Sequence, residues 1–344
     1  MTTPLPPAED PFGTPPPAGT AVAVAPGVWW ARMPLPFALN HINIWLLEDG
    51  DGWAVVDCGF NDDATRTAWE ALFTGPMGGR PVTRVITTHF HPDHMGLAAW
   101  LTARFGATFH ATLAEWLWGR MLSMQGAEEC TPLAARFYAD AGLPEPLAER
   151  LARRADAYRL AVPEVPAVLH RLRDGDGLAI GGRRWRVVVG RGHAPEQACL
   201  MGEEAGVFIS GDQVLPKISP NVSVWPQQPD EDPLNDFLVS LEDVCRRVPD
   251  SLLVLPSHGR PFHGLHARAA ELASHHADRL AEVAEACRGG PKTVFDVMQA
   301  MFPRELDPIQ VRFAIGEALA HVNHLLHRGV LVREAGVPAR YRAA

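Results

Sequence analysis

The stretch "THFHPDHMG", Thr88 to Gly96, places His89, His91, Asp93 and His94 within six positions. No other feature constrains the fold of this chain as tightly. The run before it, "RVITTH" at 84–89, reads as a buried strand from its β-branched content. The run after it, "MGLAAWLTARFG" at 95–106, reads as a helix closed by Gly106. The cluster therefore sits on a loop at a strand end, where a rigid sheet presents functional groups. On an extended segment alternate side chains point the same way, so His89 and His91 can converge on one ion. Asp93 and His94, past the proline turn, can reach a second. Zinc takes imidazole nitrogen and carboxylate oxygen, and a catalytic site keeps one position open for water.

A pair of ions would need about three more ligands. The sequence offers His193 in "VVVGRGHAPEQ", Asp212 in "VFISGDQV" and His258 in "LLVLPSHGRP", each after a strand-like run. Together with the opening cluster, four strand ends carry a complete ligand set.

The remaining pattern organises around these points. Strands are expected at 27–35, 40–49, 52–59, 178–190, 199–212 and 251–259, with a hairpin at Gly181-Gly182. Helices are expected at 63–73, 233–248 and 265–288. Between them, about 111–168 reads as a helical insertion whose Trp116, Trp118, Phe137 and Tyr138 either pack a core or line a pocket. Residues 1–20 read as a disordered, proline-rich leader and 21–288 as the main domain. After the break at Gly289-Gly290-Pro291, residues 291–344 read as helix, helix and hairpin, a small winged-helix-like domain. Its arginines are offset by carboxylates and no helix is strongly basic, so packing or dimerisation is expected of it, with a homodimer as the candidate assembly.

A net charge of -9 speaks against a nucleic-acid partner. The five cysteines are scattered and form no CxxC, which suggests neither a disulfide framework nor a thiolate zinc site. Cys58 and Cys199 are expected to be buried small hydrophobes. The N-terminus has neither the basic start nor the apolar run of a signal peptide, and no stretch approaches the ~18 apolar residues of a membrane span. A cytoplasmic protein with no membrane partner is expected.

The motifs "THFHPDHMG", "GRGHAPEQ", "ISGDQV" and "LPSHG" resemble those of the metallo-β-lactamase fold superfamily, over roughly residues 21–288. The ligand order resembles the hydroxyacylglutathione hydrolases, and the C-terminal unit resembles the extension of lactamase-beta-like endoribonucleases. The resemblance implies an α/β fold, an αββα sandwich of two mixed β-sheets with outer helices and the site at one sheet edge. It implies that His89, His91 and His193 hold the first metal, that Asp93, His94 and His258 hold the second, and that Asp212 bridges them. It also implies that Asp57, in "VVDCG", supports the metal loop from behind the ligands. Asp212 stands where true β-lactamases often have cysteine, which argues against antibiotic hydrolysis. "GRGHAPEQ" replaces the commoner Pro-Gly-His form, and Arg191 is either an anion contact or a solvated surface residue.

The expected cofactors are two divalent ions, Zn²⁺ first, with Fe or Mn as alternatives. Two dications carry roughly +4. Asp93, Asp212 and a bridging hydroxide leave the site near +1, which suits an ester, thioester, lactone or phosphodiester. The expected activity is hydrolysis of a small thioester, ester or lactone by that hydroxide, with Asp93 orienting it. The runner-up is a phosphodiesterase or endoribonuclease, which would need a basic channel. A mononuclear iron persulfide dioxygenase would leave Asp93, His94 and His258 idle, and a non-enzymatic role would leave the whole set idle. Lys217, His41, His263 and Arg260 are candidate substrate contacts, and the loop 214–233 with Trp225 is expected to border the pocket.

Overall fold

The computed structural model describes residues 12–344. Most of the proline-rich leader falls outside them, and Phe12, in the described part, packs against the sandwich interior. The chain opens as a meander: β1 (Ala21–Ala25), β2 (Val28–Pro34), β3 (His41–Asp49) and β4 (Gly52–Val56). It then runs through α1 (Asp63–Thr74), β5 (Val82–Ile86), the short α2 (Pro92–Met95), α3 (Ala98–Phe105) and β6 (Thr108–Thr112). Four helices follow, α4 (Leu113–Met124), α5 (Ala127–Asp140), α6 (Glu145–Ala152) and α7 (Ala157–Ala161). The second half continues through β7 (His170–Leu172), β8 (Gly177–Ile180), β9 (Arg183–Gly190), β10 (Gln197–Gly202) and β11 (Val207–Gly211). Then come α8 (Pro233–Arg247), β12 (Leu253–Pro256) and the long α9 (Leu265–Arg288). Last are α10 (Val294–Met301), α11 (Pro308–His327), β13 (Leu331–Glu334) and β14 (Arg340–Ala343).

Strands β1 to β7 form one sheet in sequence order, antiparallel as far as β4 and parallel beyond it. The second sheet has the order β12-β11-β10-β9-β8. β3, "HINIWLLED", is buried along most of its length, as a strand covered on both faces must be. Trp30 and Trp45 stack in the layer between the sheets, 6.3 Å between ring centroids, with Val187 and Leu200 opposite. Trp69, Leu72 and Leu101 of α1 and α3 cover the outer face of the first sheet. Phe237, Leu241 and Leu272 of α8 and α9 cover the second. This is the expected αββα sandwich.

Several elements differ in detail from the sequence reading. The alanine-rich "AVAVA" of β1 and the short β6 and β7 give strand signals too weak for the sequence reading to pick out. The run 199–212 is not one strand but the hairpin β10–β11. Asp93 and His94 lie on α2, not on open loop, because Pro92 opens a helical turn. Of the insertion's aromatics, Trp116 and Trp118 pack against the first sheet's outer cluster. Phe137 and Tyr138 instead share a core with Val297, Ile315 and Leu319 of α10 and α11. The described C-terminal residues follow the helix, helix, hairpin order, with capping boxes at Thr293 and Asp307.

The topology decides where chemistry can occur. β4 is parallel to β5, and β11 to β12. β9 is separated from β11 by one antiparallel strand, so it points the same way. The C-terminal ends of β4, β5, β9, β11 and β12 therefore meet at one edge of the sandwich, and Asp57, the His89–His94 segment, His193, Asp212 and His258 follow those ends.

Candidate metal centre

The structure brings all seven expected ligands into one cluster. The donor atoms of His89, His91 and His193 lie within 4.8 Å of one another, as do those of Asp93, His94 and His258, and those of His89, His94 and Asp212. Asp212 stands between the groups: its Oδ2 is 3.5 Å from His193 Nε2 and 3.4 Å from His258 Nε2. Its Oδ1 is 3.7 Å from His94 Nε2. Asp93 Oδ2 lies 3.4 Å from His258 Nε2.

The outer nitrogens of four of the five imidazoles show how the cluster is held, whereas His91 turns its Nδ1 inward, 2.9 Å from His89 Nε2. His94 Nδ1 pairs with Asp57 Oδ2 at 2.9 Å, His193 Nδ1 with the Asn221 carbonyl at 2.7 Å and His258 Nδ1 with the His41 carbonyl at 2.9 Å. His89 Nδ1 meets Thr88 Oγ1 at 3.0 Å. An acceptor at Nδ1 fixes the tautomer in which Nε2 offers its lone pair inward, the arrangement found behind metal-bound histidines. Two of the inward atoms, His94 Nε2 and Asp212 Oδ1, are buried and make no hydrogen bond with any described residue. Buried polar atoms of this kind normally have partners. A cation among them would satisfy both, so the donor set fits divalent metal ions.

The electrostatics divide the cluster. Burial holds His89 and His91 neutral, His91 down to about 3, with neighbouring imidazoles reinforcing the effect at His89. Neutral imidazole is the form that binds metal. Burial opposes charge on His94 as well, but Asp57, Asp93 and Asp212 outweigh it and raise its pKa to about 9. Burial likewise opposes the Asp93 and Asp212 carboxylates, and the imidazoles of His94 and His258 overcome it, bringing Asp93 to about 2 and Asp212 lower still. The carboxylate half thus draws positive charge into a buried space, which a metal ion supplies without protons.

Asp57 anchors the loop from beneath. Its backbone adopts φ +66°, rare for a residue with a side chain, and its carboxylate accepts the Thr88 backbone N–H at 2.8 Å as well as facing His94. Gly192 serves the third motif. It adopts φ +95°, and a Cβ there would come within 2.5 Å of the Phe237 backbone nitrogen on α8. Only glycine lets His193 approach the cluster on that path.

Sequence reasoning missed three supports. The fully buried Glu115 of α4 accepts the Phe90 N–H at 2.9 Å and the Glu196 N–H at 2.6 Å, tying the first histidine motif to the third. Burial pushes its pKa up to about 8 against those two donors. Tyr158 of α7 donates to the Phe90 carbonyl at 2.5 Å. Asn221 holds His193 through its carbonyl and reaches Glu317 of α11 with its amide at 3.1 Å.

Of the candidate substrate contacts, none lines the cleft beside the cluster. Both ring nitrogens of His41 are engaged, Nδ1 with Asn40 at 2.9 Å and Nε2 accepting the Gly259 N–H at 3.0 Å, so His41 braces the His258 loop. Lys217 and His263 are exposed, and neither lines the cleft beside the cluster. Arg260 does not line it either. Arg191 is exposed, with its backbone N–H bound to Ser240 Oγ. Cys58 and Cys199 are fully buried, as expected. The cleft itself is floored by His91 and His193 and walled by α4, α5, the loop carrying Trp225, and α11.

The family profile of the metallo-beta-lactamase superfamily matches residues 38–282, and that of the metallo-beta-lactamase-like C-terminal domain matches residues 280–344. A beta-lactamase domain protein of Burkholderia ambifaria, known as a crystal structure, is 44% identical, with a TM-score of 0.91 over 98% of each chain. A metallo-beta-lactamase family protein of Thermus thermophilus is 32% identical, with a TM-score of 0.80 over 94% of this chain and 100% of its own. A probable metallo-hydrolase of Bacillus subtilis (strain 168) is 25% identical over 86% of this chain and 90% of its own length. With matches across most of its length, this chain belongs to the metallo-beta-lactamase superfamily and is a metal-dependent hydrolase with the C-terminal domain of its kind.

Proposed function

We propose that the chain is a dinuclear metal hydrolase of small thioesters, esters or lactones. The observation that carries this reading is the pair of three-residue donor groups, His89, His91 and His193 beside Asp93, His94 and His258, with Asp212 reaching both. The first group would hold one ion, the second another, and Asp212 would lie between them. Imidazole and carboxylate donors suit zinc first, with iron and manganese as alternatives. Bound there, divalent metals supply Lewis-acid polarisation of a scissile carbonyl and a water acidic enough to attack at neutral pH.

The protein's own part is positioning. Asp57, Asn221 and the His41 carbonyl hold three imidazoles in their metal-binding tautomer. Asp93, with 20% of its side chain exposed against 9% for Asp212, is the cluster carboxylate better placed to orient the attacking water. The cleft walls are mainly apolar and exclude bulk water from the scissile bond.

The same cleft favours acyl substrates over a phosphodiester polymer. Arg312 is the one arginine or lysine lining it, far short of the basic channel that a nucleic-acid substrate requires. The test is a panel of thioesters, esters, lactones, phosphodiesters and a β-lactam, assayed with the zinc-loaded protein. Turnover concentrated among the carbonyl substrates is expected. Turnover confined to phosphodiesters would overturn the substrate class, and oxygen consumption with an iron-loaded protein would overturn the hydrolase reading.

A further inference from the structure

Arg312 stands in the second turn of α11 and faces the cleft from the side of the C-terminal helices. Its guanidinium makes no hydrogen bond or ion pair with any described residue. The Tyr138 hydroxyl, on the same cleft, makes no hydrogen bond with a described residue either. Burial raises the pKa of that phenol and the nearby Arg312 charge works against the rise, so the two groups act on each other. Elsewhere the cleft is walled by side chains such as Leu122, Phe137 and Trp225. Neither the guanidinium nor the phenol oxygen is sealed in the interior, so both open onto the cleft beside apolar surface, where an anion can reach them.

The position of Arg312 relative to the metal ligands is fixed by close packing. Gly316, one turn further along α11, brings the helix against the loop 221–225: a Cβ there would lie 3.0 Å from Ser223. The Gly316 carbonyl accepts the Val224 N–H at 3.1 Å. Asn221 of that loop binds both His193 and Glu317. The loop that orients a metal ligand thus also sets the register of the helix that carries the cation.

We propose that the substrate is an ester or thioester with an apolar acyl chain ending in a carboxylate, which Arg312 and the Tyr138 hydroxyl receive while the scissile carbonyl lies at the donor cluster. This rests on the hydrolase reading above and narrows it. A carboxylate is favoured over a phosphomonoester because the cleft holds a single cation, and the planar guanidinium fork matches two carboxylate oxygens. Hydrolysis by this arrangement adds water across the acyl bond, releasing the alcohol or thiol and leaving a dicarboxylate.

The experiment compares two chromogenic esters that differ only at the far end, the 4-nitrophenyl monoester of suberic acid and 4-nitrophenyl octanoate, in the zinc-loaded full chain. The wild type is expected to favour the suberate ester in kcat/KM by about 10- to 100-fold, the usual worth of a hydrogen-bonded charge pair. Arg312→Ala should bring that ratio down to about one. If Arg312→Ala does not fold, Arg312→Lys and Tyr138→Phe read the same ratio and should each lower it. An equal rate on both esters in the wild type, or an unchanged ratio in the variants, overturns the proposal. If neither ester is hydrolysed, the ester part of the substrate class proposed above fails. The esters then serve as stable ligands, and calorimetric binding that prefers the suberate ester in wild type but not in Arg312→Ala still supports the carboxylate site, whereas equal binding overturns it.

Discussion

At the scale of the residue, the chemistry is carried by second nitrogens and backbone amides as much as by ligand atoms. The seven candidate ligands are legible because metal-binding residue types stand at strand ends, each signalled within a few positions of its own sequence. Asp57 is reachable only through resemblance to a family. Glu115 gives a misleading signal. Thr112 caps α4 and accepts the Glu115 N–H, so "TLAE" reads as an ordinary helix start, yet the carboxylate serves backbone amides at positions 90 and 196. No local pattern reveals a partner brought in from 81 residues away. Removing a support of this kind should harm metal binding more than it harms the sheet. Asp57→Ala leaves the Thr88 N–H and the His94 Nδ1–H buried without acceptors, costing on the order of 2–4 kcal/mol. It should also weaken metal binding about 10- to 100-fold. Denaturant unfolding and chelator competition measure the two effects, and wild-type metal affinity in the variant would refute the assigned task.

At the scale of the element, strand direction places the site and close approaches tune it. Long strands and helices are legible from apolar periodicity, whereas β1, β6 and β7 are not, because small or short strands carry little pattern of their own and are fixed by pairing with neighbours. Gly192 illustrates what a motif letter means physically. Gly192→Ala would force a side chain into a φ of +95° and against α8, so His193 should be displaced and the ion on its side should be lost. Elemental analysis should find about one ion fewer per chain, and full occupancy would count against the packing argument.

A second element contact predicts a pH effect away from the metal site. His276 of α9 and His321 of α11 are both fully buried, with ring nitrogens 3.2 Å apart. Burial lowers their pKa values to about 3 and about 4, and His275, His324 and Arg279 reinforce this. In the unfolded chain both imidazoles titrate near ~6.5, so the unfolded state takes up protons first as pH falls. Their contribution is complete above that value and is lost progressively as pH drops towards 4, by on the order of 2–4 kcal/mol at pH 5. Melting temperature against pH should show the loss, and His276→Gln should flatten the curve. An identical slope in that variant would remove the histidine pair as its cause.

At the scale of the whole molecule, the sandwich supplies a rigid edge for metal chemistry, while the insertion and the C-terminal helices supply the cleft. Phe137 and Tyr138 pack with α10 and α11 and also line that cleft, so the two added parts form one wall. The sequence reading keeps both roles open for these aromatics, since an amphipathic stripe looks the same whether it faces a core or a ligand. Arg312 is one of many arginines in the C-terminal segment, and only the docking of α11 beside His193 singles it out. Among the described residues no helix is long and apolar enough to cross a membrane.

We propose that two metal ions share this cluster, and site-resolved metal stoichiometry decides it. Elemental analysis of the zinc-loaded chain should find two ions, with His193→Ala and His258→Ala each retaining one and the double variant none. One ion in the wild type, or a zinc content indifferent to either substitution, would contradict the account.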